Sequence, residues 1–499
     1  MKFIKNNIGY LSLFILLFLF NLFCIIDSKV AITDQHKILI FIVSIILEIT
    51  LVILYYYMDK KKIAIHNKFL VSAIFLGTLY MLVIPITRVP DEFNHFLRAY
   101  EISEGHLISK QDSETLHGGR ELSTSFSDMQ INNYEQLGKV LMEKQAGTNQ
   151  FYYFSNTSLY SPICYLPQTI GILLGKALNL PFTIQAYMGR IVNFMVYLAI
   201  MYLSIKYIPF KKNLILMVSL LPITIQESMS LSPDALTIAI SIALISFVLY
   251  MKYSKKGEMN NKEISLMILL PLILALCKIV YVPLSLLLFL IPKEKFGTLK
   301  RKKLIIIFTI ILAIVINLFW TSQVSKFLDA HINNSSSREQ ISYILHNPFE
   351  YAKICFRTLD KHAEFYIFGL MGKFLSYYDV ILYAPYIYAS MALLCILLFG
   401  NSEKEKIFEI KSKVLMGIIF SSIVVLILTS IYVQWTSLKY KYIDGVQGRY
   451  FIPIILLFGL ILSNKKIKVN MDMSNKFILL FIGMENVMAL IALISNFSI

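Results

Sequence analysis

Asp91, His95 and Arg98 are spaced by four and three residues within Pro90-Asp91-Glu92-Phe93-Asn94-His95-Phe96-Leu97-Arg98-Ala99-Tyr100, so a helix starting at Pro90 sets all three on one face. A carboxylate, an imidazole and a guanidinium so placed could take a proton from a hydroxyl and hold an anion beside it. Phe93, Phe96, Leu97 and Tyr100 make an apolar stripe on another face. Proline in a first turn followed by two acids is also an ordinary helix start, where Asp91 and Glu92 would favour the positive end of the helix dipole by ~0.3–1 kcal/mol. That accounts for the acids but leaves His95 and Arg98 with no reason to share their face.

Two further motifs carry the same kinds of group. Leu231-Ser232-Pro233-Asp234-Ala235 reads as a helix start, with Ser as N-cap and Pro at the first position, and it places a carboxylate at that end. In Asp444-Gly445-Val446-Gln447-Gly448-Arg449-Tyr450-Phe451-Ile452-Pro453, two glycines flank Val446-Gln447, a turn whose backbone can approach a ligand closely. Arg449 either snorkels to lipid headgroups or aims its planar fork at a phosphate. Lys278, at the apex of a short apolar helix pair beside Tyr281, is a fourth outside cation, with snorkelling as its plainer reading. Glu48 and Glu485 fall inside apolar runs without an evident partner. His106, His117, His331 and His346 lack ligand spacing and read as loop residues.

The elements that must position these groups are membrane helices. The chain of 499 residues is 57% apolar and only 16% charged, with a mean hydropathy of +0.65. Apolar runs of about 17 to 22 residues recur, each long enough to cross ~30 Å of hydrocarbon as helix. The fold class is therefore an all-α, polytopic transmembrane bundle. The formal charge of +16 is not that of a nucleic-acid binder, because its lysines cluster in short loops: Lys60-Lys61-Lys62, Lys211-Lys212, Lys255-Lys256, Lys300-Arg301-Lys302-Lys303, Lys404/Lys406 and Lys465-Lys466. Short basic loops stay cytoplasmic. Five scattered cysteines (Cys24, Cys164, Cys277, Cys355, Cys395) indicate neither a disulfide framework nor a metal site.

With those loops inside, spans fall near 9–26, 38–58, 69–86, 186–207, 213–230, 233–253, 264–277, 279–291, 303–323, 381–400, 413–434, 450–463 and 477–496, about thirteen crossings with the N-terminus inside. The pair 264–277 and 279–291 is short and could be a re-entrant hairpin. The first run lacks a small-residue cleavage site after Asp27-Ser28-Lys29 and reads as a retained span. Residues 159–178 do not fit as a crossing, since every later basic loop would then invert. Pro162 and Pro167, with Gly171 and Gly175, break a continuous helix, so the segment is expected to lie on or dip into the outer leaflet. Two long outside loops result. Loop 87–158 carries ten acidic against six basic residues, and loop 325–380 has an aromatic-rich stretch from Tyr351 to Tyr378 expected to lie at the interface. The chain divides into an N-terminal pair of spans (1–68), a central module (69–323) and a C-terminal part (324–499).

On this topology the acids and cations gather at the external membrane surface. A secondary transporter puts its polar site near the midplane on broken helices. An enzyme acting on a lipid-anchored phosphate needs a base and cations at headgroup depth.

The three motifs, in this order, resemble the bacterial family of predicted membrane proteins catalogued as domain of unknown function 2142, whose pattern reads P-D-E-x-x-H-x-x-R-A-Y, then S-P-D-A, then V-Q-G-R-Y-F-x-P. All occur here, as Pro90–Tyr100, Ser232–Ala235 and Val446–Pro453, and the likeness runs from about residue 69 to 463. That family looks related to the GT-C glycosyltransferases, multispanning enzymes that use polyprenyl-phosphate sugars as donors and whose first large outside loop carries an acidic pair. The resemblance implies that Asp91, or else Glu92, is the general base. The mechanism expected from the residues themselves sets the donor phosphate among Arg98, Arg449 and Lys278, with His95 positioning that phosphate or relaying a proton and Asp234 and Gln447 as further substrate contacts. The acids of that superfamily are often separated by one residue, whereas Asp91 and Glu92 are adjacent, so the resemblance does not choose between them. A large soluble C-terminal domain of the oligosaccharyltransferase kind is not visible, which argues against protein glycosylation.

The expected reaction is an inverting sugar transfer from an undecaprenyl-phosphate-linked donor to a cell-wall, capsular or teichoic-acid glycan on the outer face of the cytoplasmic membrane. Asp91 and Asp234 could share a divalent cation (Mg or Mn), but two carboxylates alone do not establish one, and no cofactor is assigned. The runner-up is a lipid-linked oligosaccharide transporter or flippase, or a non-catalytic subunit of an export complex. A glycan polymerase or ligase is a third option within the enzyme class.

Overall fold

The apolar runs form helices that pack side by side, and a computed structural model describes residues 2–27, 34–123, 131–141, 149–327, 336–401, 408–464, 466–468 and 471–498. Lys404, Lys406, Lys465, Ser28, Lys29 and His331 lie outside the described residues.

Among the described residues, seven helices are long and apolar enough to cross a membrane: Ile38–Lys60, Ile65–Val83, Phe182–Tyr207, Asp234–Tyr253, Leu299–Phe327, Ile410–Trp435 and Asn475–Phe497. Four shorter apolar helical segments, Leu11–Phe23, Ile279–Leu290, Ala384–Phe399 and Gly448–Leu462, stand beside them. The chain is a helical, multi-pass membrane protein. Its side chains sort by surroundings: 89% of the most apolar window of Asp234–Tyr253 is buried within the protein, against 22% for Leu299–Phe327, which turns Leu304, Leu318 and Phe319 outward. Large apolar side chains facing outward are what hydrocarbon, rather than water, requires.

Two expected spans take a different form. The run 213–230 is broken into Lys212–Leu220 and Pro222–Met229, because Leu221 precedes a proline and is held extended (ψ 143°). The run 279–291 winds as a 3₁₀ helix, Ile279–Leu290.

The helices alternate in direction, so the bundle has two chemically distinct ends. At one, Lys68 pairs with Asp59 at 2.5 Å, Lys211 donates to the carbonyl of Gly400 at 2.6 Å, and Lys295 donates to that of Lys255 at 2.5 Å. The Lys60–Lys62, Lys211–Lys212 and Lys255–Lys256 loops lie at this end, where the Lys211 ammonium caps the C-terminus of the Ala384–Phe399 helix. At the other end lie Asp91, Asp234, Lys278 and Arg449.

Over that second end sit the two long connections, and both hold more structure than the sequence led us to expect. Connection 87–158 contains the Glu92–Ser103 helix, the Tyr134–Leu141 helix and an antiparallel sheet of Lys110–Gln111, Gly118–Ser123 and Asn149–Tyr153 in that spatial order. The other contains helices Ser337–His346 and Pro348–Leu370 and the hairpin Phe374–Leu375/Val380–Ile381. Pro348–Leu370 is two-faced as expected: Phe349 and Phe356 point out, whereas Tyr351, Ile354 and Thr358 are buried. In 159–178 the prolines do punctuate, leaving a 3₁₀ turn (Pro162–Tyr165) before the helix Leu166–Ala177. The glycines, expected as breakers, instead lie within that helix. A Cβ on Gly171 would come within 2.2 Å of the Met188 carbonyl, so its absence lets this helix pack closely on Phe182–Tyr207.

Candidate functional site

The chain leaves the Ile65–Val83 helix, turns through Pro85 and Pro90, and enters Glu92–Ser103. Asp91 is the hinge of that turn. Its φ of +61° lies in the left-handed region, which Asp tolerates better than most residues, and its carbonyl accepts from His95 N at 3.0 Å to start the helix. Its side chain is 32% exposed, with one oxygen 3.8 Å from an Arg449 nitrogen and the other 3.5 Å from the Asn156 amide.

Glu92, one residue on, points the other way and is completely buried. It receives Arg190 Nε at 2.8 Å and Nη2 at 2.6 Å, the backbone N–H of Thr87 at 2.9 Å and that of Leu231 at 3.1 Å. Arg190 also donates to the carbonyls of Ile84 and Pro85. Every lone-pair direction of Glu92 is thus spent on holding the 84–92 turn to its neighbours, so the geometry separates the two adjacent acids: Asp91 faces the cavity and Glu92 is a fastener.

Three carboxylates and two cations then converge from four stretches of chain. Asp234, at the start of its helix, receives Lys278 Nζ at 2.5 Å. Arg449 reaches Asp234 at 3.5 Å, Glu227 at 2.8 Å and Asp91 at 3.8 Å. Lys278 is placed by the end of the Asn261–Cys277 helix, and Arg449 by a 3₁₀ turn, Gly448–Ile454. Gly448 serves this placement rather than a ligand: a Cβ there would meet the Tyr366 carbonyl at 2.3 Å, so only glycine lets the turn press onto the Pro348–Leu370 helix. Among the described residues Gln447 Oε1 and Glu227 Oε2 are buried without a hydrogen-bond partner.

Of these, Asp91, Asp234, Lys278, Gln447 and Arg449 line a cavity of about 200 Å³ that also takes in Asn156, Tyr160, Tyr378 and Tyr450. Next to it, between Ile279–Leu290, Leu299–Val324 and Ile410–Trp435, runs a mainly apolar groove of about 330 Å³. The two share Asn156, Leu159, Tyr160, Lys278, Ile431, Gln434 and Tyr450, so Lys278 stands where polar cavity meets apolar groove.

His95 lines the polar cavity, with Nδ1 2.6 Å from the Tyr165 hydroxyl. Burial pushes its imidazole down to about 4, against the opposing pull of Asp91 and Asp234, with Arg449 and Lys278 adding to the depression. It is therefore neutral at physiological pH and offers hydrogen bonds rather than charge. Burial likewise pushes the Tyr160 phenol up to about 12, keeping it a donor.

Arg98 does not reach this cavity. Seven residues along a helix restore the angular position of Asp91 but add about 10 Å of rise. There Arg98 binds Glu101 at 2.5 Å and the Leu107 carbonyl at 2.7 Å, and Glu101 in turn receives Arg120 from the sheet at 2.6 Å. The expected phosphate contact is replaced by a buried network that ties helix to sheet. Asp91, His95, Asp234, Lys278, Gln447 and Arg449 are brought together; Glu92 and Arg98 are not.

Glu227 and Arg190 were not singled out in the sequence, though each is an ionisable residue within an apolar run, a signal that marks a structured polar contact. Glu48 and Glu485, which do carry that signal, lie elsewhere, accepting from Asn21 and Ser390 respectively. The groups present are a poor fit for a divalent metal. Asp91 and Asp234 already face Arg449 and Lys278, and no group of three or more His, Cys, Asp or Glu among the described residues could hold one.

The chain belongs to the family described as predicted membrane protein (DUF2142), which it matches over residues 74–458. All three sequence motifs lie in that range. No curated protein and no solved structure gives a match.

Proposed function

We propose that the protein is a membrane glycosyltransferase of the GT-C kind, moving a sugar from a polyprenyl-phosphate donor to a cell-envelope glycan on the outer face of the cytoplasmic membrane. The observation that carries this reading is the continuity of an apolar groove with a cavity holding Lys278 and Arg449 at its head. A ligand matching both parts has a long hydrocarbon chain and an anionic headgroup. The clustering of basic loops at the opposite end supports an outward-facing cavity.

In this mechanism the lipid lies in the groove and its phosphate approaches Lys278 and Arg449, exchanging part of their pairing with Asp234 and Glu227 for its own charge. An acceptor hydroxyl gives its proton to the Asp91 carboxylate. Its oxygen forms the new bond to the anomeric carbon from the face opposite the phosphate, and the anomeric carbon–oxygen bond breaks with its electron pair leaving on the lipid phosphate. The proton then passes from Asp91 to solvent. Fixed cations at the departing phosphate supply the larger electrostatic contribution, and the base about 10²–10⁴-fold. Neutral His95 and Tyr160 orient the headgroup by hydrogen bonds.

The test is transfer or hydrolysis of an undecaprenyl-phosphate-linked sugar by the purified full chain in liposomes. Cleavage that is lost in both Asp91→Asn and Arg449→Ala supports the reading. Movement of labelled lipid-linked glycan between leaflets with its glycosidic bond intact would replace it with a transporter.

A further inference from the structure

Asp91 lines a second cavity, of about 330 Å³, together with Thr87, Arg88, Glu92, Asn94, Asn132 and Tyr377, the Glu92 carboxylate being already taken by Arg190. Among the described residues the two polar cavities have Asp91 and Tyr377 in common, so these two side chains form the partition between them. Neither Lys278 nor Arg449 lines the second cavity. Its own cation, Arg88, is answered by an ion pair with Asp379 and donates to Asn132 at 3.2 Å. With Asp91 adding a negative charge, this space does not suit an anion. What it offers is amide and carboxylate hydrogen-bonding groups beside two aromatic rings, Phe93 and Tyr377. Hydroxyl-binding groups set against ring faces suit a sugar.

We infer that this second cavity receives the acceptor, as a neutral sugar residue whose hydroxyl reaches Asp91 from the side away from the lipid phosphate. The inference rests on the transferase reading above and gives it a direction. Donor and acceptor enter separate cavities that meet at one carboxylate, which is the arrangement an inverting displacement needs: the hydroxyl loses its proton to Asp91 on one side while the carbon–phosphate-oxygen bond breaks on the other. The left-handed backbone at Asp91 fits this role, because it turns one residue's side chain into the partition while Glu92 anchors the turn behind it.

The experiment uses the full chain in nanodiscs, reading saturation-transfer NMR with methyl glucoside, methyl galactoside, methyl mannoside and N-acetylglucosamine, and separately the affinity for undecaprenyl phosphate. Glycerol 3-phosphate serves as the anionic control. Asn132 is exposed, and Arg88, which donates to it, keeps its ion pair with Asp379, so Asn132→Trp fills the cavity. The expected result is that at least one neutral sugar binds, that glycerol 3-phosphate does not displace it, and that Asn132→Trp weakens it by about tenfold while undecaprenyl-phosphate affinity is kept. Sugar binding that is absent, is equal in Asn132→Trp, or is displaced by glycerol 3-phosphate overturns the acceptor assignment and leaves the donor reading standing. Equal loss of both ligands in Asn132→Trp overturns the separation of the two cavities. Failure of the wild-type chain to bind undecaprenyl phosphate strikes the transferase reading itself.

Discussion

Arg449 and Glu227 are 222 residues apart in the chain, yet Nη1 of the one donates to Oε1 of the other at 2.8 Å inside the protein. The same guanidinium faces Asp234 and Asp91, so three carboxylates hold one cation in place. Removing one partner of a buried pair costs about 3–5 kcal/mol. Glu227→Gln should therefore lower the thermal unfolding temperature. It also leaves Arg449 less neutralised, so an added anion should recover more stability than it does in the wild type. Thermal unfolding with and without undecaprenyl phosphate reads this directly: a larger ligand-induced rise is expected in Glu227→Gln, and almost none in Arg449→Ala. Charge-assisted hydrogen bonds are worth about 1.5–3 kcal/mol, so Arg449→Ala should weaken lipid-phosphate binding about 10–100-fold.

Asp91→Asn separates chemistry from binding. Asparagine accepts the left-handed backbone at this position at least as readily as aspartate, so the turn survives. On the transferase proposal the base is lost, and turnover should fall about 10²–10⁴-fold, with undecaprenyl-phosphate affinity equal to or above that of the wild type because a negative charge has gone. A variant that turns over at the wild-type rate would remove Asp91 from the mechanism.

Much of this was legible in the sequence, and the failures share a cause. Helical membrane class, basic loops at one end and the gathering of Asp91, Asp234, Lys278 and Arg449 at the other follow from apolar run length and charge placement, which are properties of short windows. What was not legible depends on a third dimension. The spacing that aligns Arg98 with Asp91 around the helix says nothing of the rise that carries it past the cavity, nor of Glu101 waiting three residues on. The choice between Asp91 and Glu92 turns on a single positive φ. The strands Gly118–Ser123 and Asn149–Tyr153 pair across a long insertion and were invisible as short polar segments. Gly171 and Gly448 read as a breaker and a ligand turn, whereas both mark close backbone approach within the protein.

Glu92 and Arg190 are both fully buried, and they should behave as structure rather than as catalysis. Glu92→Gln leaves a guanidinium buried without its counter-charge and should cost about 3–5 kcal/mol. The expected signature is a low yield of folded protein and a depressed unfolding temperature, with lipid-phosphate affinity per folded molecule near that of the wild type. Asp91→Asn should show the reverse pattern, normal stability and lost turnover. If Glu92→Gln were as stable as the wild type but inactive, the roles given to the two acids would have to be exchanged.

His95 provides a test by pH. Burial holds its imidazole down at about 4, below the ordinary 6.5, so the folded chain resists a proton that an unfolded chain would take up. Between about 4 and 6.5 the unfolded state binds more protons, and stability therefore rises with pH across that window. The contribution is complete above 6.5 and is given up as pH falls toward 4. In His95→Gln the dependence of unfolding temperature on pH should be shallower over this range, with little change at pH 7.5. Histidine NMR should agree: the resonance missing from His95→Gln should be one that does not titrate between pH 8 and 5 in the wild type. A His95 signal with its midpoint near 6.5 would mean that the imidazole carries charge beside Asp91 and Asp234, and the transferase proposal would then count it with Lys278 and Arg449 as a cation for the departing phosphate.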